Sequence, residues 1–297
     1  MFTSNQIGNK KVGCFVVGAQ KAGTTTIHEV LSKEPKLSLP LIKETHFFCD
    51  EQRNKKGLVW YHDQFDENKD IWLEVDPDYT RDEKALKLIS EYNPRSKIIF
   101  IYREPLARAY SQWKMNQRRN IEKLDFEAAV REEPFRFKKL ENQLLEHFGY
   151  KKRSSYKEII ENILDNFDKE NLLVINFDAL VGDRKLETYE KIFNFIGIKS
   201  IQSLADLNVK ANENNKPRLA FINKFLWNRK RKLTWTKWLL NESMKLRIAM
   251  WLDKVNRKKL DTAIDKVEVS KDVRDDFEVN FSKFKLLLKE KNIREIS

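Results

Sequence analysis

One segment restricts the fold of this chain more than any other. Val12 to Val17 is a short apolar run that ends at Gly18, and Thr24 to Lys33 then carries Ile27, Val30 and Leu31 at helical spacing before Pro35. An unbroken apolar run reads as a strand covered on both faces rather than one lying half in water. The connecting loop is Gly18-Ala19-Gln20-Lys21-Ala22-Gly23-Thr24-Thr25. It places backbone N–H groups at a helix N-terminus, with glycines that let an anion come close. A turn that merely caps a helix is the plain alternative. In a Walker loop the lysine directly follows the second glycine. Here Lys21 stands two residues before Gly23, and Thr24 takes the Walker position. Lys21 therefore projects from the middle of the loop, toward a bridging oxygen rather than the flank of a triphosphate.

The rest of the chain repeats this strand–helix alternation. Ile71 to Val75, Lys97 to Tyr102 and Leu172 to Phe177 read as strands. Arg81 to Tyr92, Pro105 to about Asn120, Ser155 to Phe167 and Leu186 to Ile196 read as helices, the last closed by Gly197. Such alternation predicts an α/β, P-loop-like three-layer fold, a central parallel sheet flanked by helices. Past Lys210 the pattern changes. Residues 211–218 read as a polar loop, Leu219 to Lys259 as basic, tryptophan-rich helix, and Val273 to Lys291 as an amphipathic helix presenting Phe277, Phe281, Phe284, Leu287 and Leu288. The expected organisation is an α/β core over 1–218 and a basic helical C-terminal region over 219–297 packed on the same domain.

Several classes fall away. No run of about 18 apolar residues offers a membrane span, and Met1 to Lys11 lacks the apolar stretch of a signal peptide. Cys14 and Cys49 are too few for a disulfide framework, so a cytoplasmic location is expected. The net charge is +12, and 216–259 holds fourteen Lys or Arg against Glu242 and Asp253, so this block accounts for all of it. A solvated helix with its tryptophans packed inward is the plainest reading. Contact with a polyanion or, peripherally, an anionic membrane comes next, and no nucleic acid is expected.

A second motif adds chemistry. The strand Lys97 to Tyr102 runs into Arg103-Glu104-Pro105, and Arg108 and Ser111 follow on the next helix. A Walker-type kinase would place an acid at such a strand end to hold magnesium. An arginine fork and a serine hydroxyl instead suit a second phosphate, although a lone arginine there is more often a surface ion pair.

Together, Gln20-Lys21-Ala22-Gly23-Thr24-Thr25 and Arg103-Glu104-Pro105-x-x-Arg108-x-x-Ser111 resemble the two motifs by which sulfotransferases bind 3′-phosphoadenosine-5′-phosphosulfate (PAPS). The resemblance covers roughly residues 12–218. It implies that Lys21, Gly23, Thr24 and Thr25, with Gln20 and Ala22, hold the 5′-phosphosulfate, and that Arg103 and Ser111 hold the 3′-phosphate. Lys43-Glu44-Thr45-His46-Phe47-Phe48 is similar to a segment of the glycan-modifying branch and its bacterial relatives, which makes Glu44 the expected base and His46 its rival. Glu74-Val75-Asp76-Pro77 matches a segment that carries a lysine in heparan-type enzymes, where this chain has Val75. The loop Asn214-Asn215-Lys216-Pro217-Arg218 lies where the family closes over the nucleotide, so Lys216 and Arg218 are expected at the cofactor. The implied activity is in-line sulfuryl transfer from PAPS to a hydroxyl of a glycan or small natural product. No metal is required for it, and the four histidines and two cysteines read as scattered. A P-loop kinase or NTPase, and a basic nucleic-acid-binding protein using Trp227 to Trp238, are the competing readings.

Overall fold

The computed structural model describes residues 10–81, 83–139, 147–198 and 267–297, and the short strand pair 216–217 with 257–258. The chain divides into two compact units. Met1–Trp113, Leu124–Ala211 and Val267–Ser297 form the first, and Lys114–Lys123 with Asn212–Lys266 the second.

The first unit is built on a six-stranded sheet. Its strands are β1 (Val12–Gly18), β2 (Leu37–Ser38), β3 (Ile71–Val75), β4 (Lys97–Tyr102), β5 (Leu172–Asn176) and, after the second unit's pair β6 (Lys216–Pro217) and β7 (Arg257–Lys258), β8 (Glu295–Ile296). The order is β2-β3-β1-β4-β5-β8, and every pairing is parallel. The expected parallel α/β sheet is what the structure shows. Phe15, Val16 and Val17 of β1 and Ile98 to Ile101 of β4 are fully buried. Each such side chain contributes roughly 1.5–3 kcal/mol when taken from water.

Strand β1 lies between β3 and β4, and the chain visits β3's side of the sheet first and β4's side afterwards. The carboxyl end of β1 is thus the point where the winding reverses, the place where open α/β sheets bind ligands. Helix α1 (Thr24–Leu31) leaves from that end, and α5 (Pro105–Arg118) leaves from the carboxyl end of β4.

Helices α2 (Glu51–Asn54), α3 (Gly57–His62) and α6 (Phe126–Lys139) were not anticipated, nor were the edge strands β2 and β8. Helix α4 spans Glu83–Tyr92, α7 Tyr156–Leu164, α8 Phe177–Val181 and α9 Lys185–Ile196. The C-terminal helix α10 (Lys271–Glu290) packs as expected, with Phe277, Phe284, Leu287 and Leu288 buried and Phe281 half-buried. Phe284 meets the Tyr102 ring at 5.0 Å. The region expected to be only helical also returns a strand to the sheet, because Ile296 pairs with Ile175. Within that region Arg257–Lys258 pairs antiparallel with Lys216–Pro217 where helix was expected. Pro217 has no N–H to extend such a ladder. The rest of the helical reading over Leu219 to Lys259 lies outside the described residues. Among the described residues no helix is long and apolar enough to cross a membrane.

Candidate active site

The anion loop is shaped by its backbone. Gly23 caps α1 at φ 94° and Lys21 sits at φ 70°, both in the left-handed region. Only glycine fits at position 23, since a Cβ there would lie 2.8 Å from Phe177 Cδ2 as well as being strained. The Ala19 N–H donates to the Ile101 carbonyl at 2.6 Å, which ties the loop to β4.

Beneath the loop lies Arg108, fully buried. Its guanidinium donates to Ser154 Oγ (2.6 Å), Gln112 Oε1 (3.0 Å), the Tyr150 carbonyl (2.5 Å) and the Gln20 carbonyl (3.4 Å). All four acceptors are uncharged. Burial pulls its pKa down to about 10, so it remains a cation at neutral pH under the phosphate-type loop. The sequence offered Arg108 only as part of a motif; the structure makes it the strut joining the loop, α5 and residues 150–154.

Arg103 lies half-buried at the end of β4, its guanidinium 4.8 Å from the centre of the Phe177 ring. Phe177 also crowds Gly23, so one ring separates the loop from Arg103. The Arg103 carbonyl accepts from Tyr156 Oη at 2.8 Å. Ser111 is half-buried on α5, one turn beyond Arg108. Lys216 belongs to the second unit, and Arg218 lies outside the described residues.

The turn 43–49 is shaped by side chains instead. Glu44 (φ 58°) and His46 (φ 54°) both occupy the left-handed region, which costs a non-glycine residue of order 1 kcal/mol or more. Buried carboxylates of β3 and the segment after it hold the turn there. The Thr45 N–H and hydroxyl donate to Glu74 Oε1 at 3.1 and 2.5 Å, and the His46 N–H donates to Asp76 Oδ2 at 2.8 Å. Glu74 also accepts from Tyr61 and Tyr79 at 2.6 and 2.8 Å. Burial, then the Asp76 charge, push the Glu74 pKa up to about 7, while the three hydroxyl donors pull the other way. Phe47 stacks on Tyr61 at 4.5 Å and Phe48 meets Phe15 edge-on at 5.8 Å, closing the turn onto the core.

Two groups now meet. Lys43 Nζ donates to Thr25 Oγ1 of the anion loop at 3.1 Å and pairs with Glu44 Oε1 at 3.3 Å. It thereby sets the Glu44 carboxylate beside the loop. His46 turns to other partners: its Nδ1 is 3.0 Å from Asp76 Oδ2 and 3.8 Å from Asp78 Oδ2. Burial works against its charge but is outweighed by the Asp76 hydrogen bond and by Asp76, Asp78 and Glu44, so its pKa rises to about 9. Asp78 is in turn paired with Arg153 at 2.7 Å. Sequence reasoning missed His28 on α1, which burial and then Lys43 push down to about 4 and so keep neutral. It also missed that His46 and Cys49 share one side of a tight turn with Asp76, which the His46-x-x-Cys49 spacing could have signalled.

A cationic loop at the sheet's switch point, an arginine at the next strand end and a carboxylate joined to the loop through Lys43 define a group-transfer site for an anionic donor. The family model of the sulfotransferase domain matches residues 13–263, and the chain belongs to that family. It is 27% identical over 188 residues to heparan sulfate glucosamine 3-O-sulfotransferase 5 of Homo sapiens, covering 60% of this chain and 52% of the relative. It is 29% identical over 198 residues to the human bifunctional heparan sulfate N-deacetylase/N-sulfotransferase 2, covering 62% and 22%. The chain thus spans about half the length, or less, of these curated relatives. Among solved structures, a sulfotransferase from Alicyclobacillus acidocaldarius superposes with a TM-score of 0.56 at 24% identity, covering 67% of this chain and 88% of that one. That likeness concerns the fold alone.

Proposed function

We propose that this site transfers the sulfuryl group of PAPS to a hydroxyl of a glycan-type acceptor, with Glu44 as the base. The observation that carries the reading is the Lys43 bridge, which joins the anion loop at Thr25 to the Glu44 carboxylate. The residues present suit PAPS. The loop amides, Lys21 and Thr25 would hold the 5′-phosphosulfate, and Arg103 with Ser111 the 3′-phosphate. PAPS supplies an activated sulfuryl group when bound. As the acceptor oxygen bonds to sulfur, the bond to the bridging oxygen breaks and adenosine 3′,5′-bisphosphate leaves. Lys21 and the loop N–H groups would stabilise charge growing on that bridging oxygen. The acceptor proton passes to Glu44. His46 is the weaker candidate because its Nδ1 is committed to Asp76 and the ring is already protonated at neutral pH. The glycan class of the acceptor is supported by the two human relatives, both named as heparan sulfate sulfotransferases.

The test is incubation with PAPS and a panel of neutral oligosaccharides, sulfated oligosaccharides and small phenols, with products read by mass spectrometry. A sulfated oligosaccharide product formed with release of adenosine bisphosphate is expected. Magnesium-dependent consumption of ATP with no use of PAPS would sink the proposal.

A further inference from the structure

The turn that carries Glu44 also gathers donors that sulfuryl transfer does not employ. The N–H groups of Cys49 and Asp50 both donate to the His46 carbonyl, at 3.2 and 2.9 Å, so residues 46–50 form one tight turn. Its closure brings Cys49 Sγ to 4.0 Å from His46 Nδ1. Asp76 Oδ2 approaches the same nitrogen at 3.0 Å, and Asp78 Oδ2 at 3.8 Å. The imidazole nitrogen, the thiol sulfur and an Asp76 carboxylate oxygen all lie within 4.8 Å of one another. A tetrahedral zinc ion, with bonds of roughly 2.0–2.3 Å, holds its donors about 3.3–3.7 Å apart. Small side-chain rotations would bring this set to that spacing.

The surroundings suit a cation. Asp76 is fully buried and held by two backbone donors, the His46 N–H at 2.8 Å and the Asp78 N–H at 3.0 Å, the outer support that keeps a ligand oriented. Glu74 and Asp78 add carboxyl groups behind it, and Arg153 engages only the far oxygen of Asp78, leaving Oδ2 toward the imidazole. The His46 side chain is about one-third exposed, which gives an ion access. One nitrogen, one sulfur and one oxygen donor select zinc-class ions over magnesium or calcium, which prefer all-oxygen shells.

We propose that His46 Nδ1, Cys49 Sγ and Asp76 Oδ2, completed by Asp78 Oδ2 or water, form a regulatory site for a thiophilic divalent cation, and that filling it silences the neighbouring Glu44. Binding balances in charge. The imidazolium and the thiol each give up a proton to the buffer, and the ion brings two positive charges. The exchange therefore leaves the net charge of the site unchanged. The ion would draw on Asp76 Oδ2, the same oxygen that holds the His46 N–H at 2.8 Å, and so shift the turn that sets Glu44 beside the anion loop. The silencing half rests on the reading of Glu44 as base; the binding half does not.

Cobalt(II) added to the metal-stripped full chain gives the direct test. A thiolate-to-cobalt charge-transfer band and tetrahedral visible bands are expected, at one ion per chain. Cys14 is buried in the core, so Cys49 is the thiolate such a band would report. Cys49→Ser should remove the band, weaken zinc binding at least tenfold in calorimetry, and keep its turnover in zinc concentrations that inhibit the parent protein. Chelation should restore the parent's activity. A folded parent chain with no charge-transfer band, or equal zinc affinity in Cys49→Ser, overturns the site. A band with turnover indifferent to zinc overturns the silencing. No turnover with any acceptor overturns the sulfuryl-transfer reading instead, and the cobalt spectrum still decides the site.

Discussion

The anion loop and the turn 43–49 face each other across Lys43, yet they are made in opposite ways. The loop takes its shape from the backbone: a glycine at φ 94°, a helix N-terminus and one carbonyl tie to β4. The turn takes its shape from Glu74 and Asp76, about thirty residues away, whose carboxyl groups capture the N–H groups of Thr45 and His46. A loop built locally holds whatever anion fits it. A turn built at long range can aim a carboxylate, and its described side-chain tie to the loop is Lys43 on Thr25. Changes in the loop should therefore act on cofactor binding, and changes in the turn on turnover.

The largest effect is expected at the strut under the loop. Arg108→Met strips this donor from the buried Gln112 Oε1 and the part-buried Gln20 carbonyl, at roughly 1–3 kcal/mol each, and leaves the Tyr150 carbonyl with Ser154 Oγ alone. Denaturant unfolding should show a loss of about 3 kcal/mol or more, and affinity for adenosine 3′,5′-bisphosphate should fall with it. Unchanged stability would mean that the Arg108 network is not formed.

A matched pair of milder changes separates the two regions. Gly23→Ala forces a Cβ against Phe177 at a left-handed position, and should cost about 1–2 kcal/mol and weaken bisphosphate binding. Thr45→Val removes a buried hydroxyl from Glu74 at about 1–3 kcal/mol, and should lower turnover about tenfold with bisphosphate affinity kept. If calorimetry finds both variants equally poor at binding, the division between loop and turn is wrong.

Within the loop's half, adenosine 3′,5′-bisphosphate should raise the melting temperature more than ATP does, because Arg103 and Ser111 have no 3′-phosphate to meet in ATP. Arg103→Ala should narrow that gap. Equal shifts in the parent chain would remove the 3′-phosphate assignment.

The smallest effect belongs to pH. The folded-state pKa of His46 lies above its unfolded value near 6.5. Its pairing with Asp76 therefore stabilises fully below about pH 6.5 and is lost as pH rises through about 9. Because the ring is about one-third exposed, solvent screening leaves a contribution on the order of 1 kcal/mol. Melting curves of the parent and His46→Asn should converge between pH 6.5 and 9.

What the sequence showed follows the same division. β1, the loop, α1, β3 and β4 were legible because apolar runs, glycine spacing and capping are local signals. Helix α6 was not, because Pro134 and a charged composition mask its apolar face, which Phe126, Ala129 and Val130 supply. Strand β8 has two residues and no pattern of its own; it exists because β5 offers an open edge. Glu44 and His46 were legible as candidates, but spacing left them on one side. Their separation comes from Lys43 on one hand and from Asp76 and Asp78 on the other, contacts that no local pattern encodes.

Turnover of Glu44→Gln beside His46→Gln, each with its bisphosphate affinity measured, tests the central claim most directly. Glu44→Gln should slow sulfuryl transfer about a hundredfold or more, the usual scale for a lost general base, with cofactor affinity unchanged, and His46→Gln should slow it less. Near-normal turnover in Glu44→Gln, with a folded His46→Gln chain that is inactive, would contradict the account and make His46 the base.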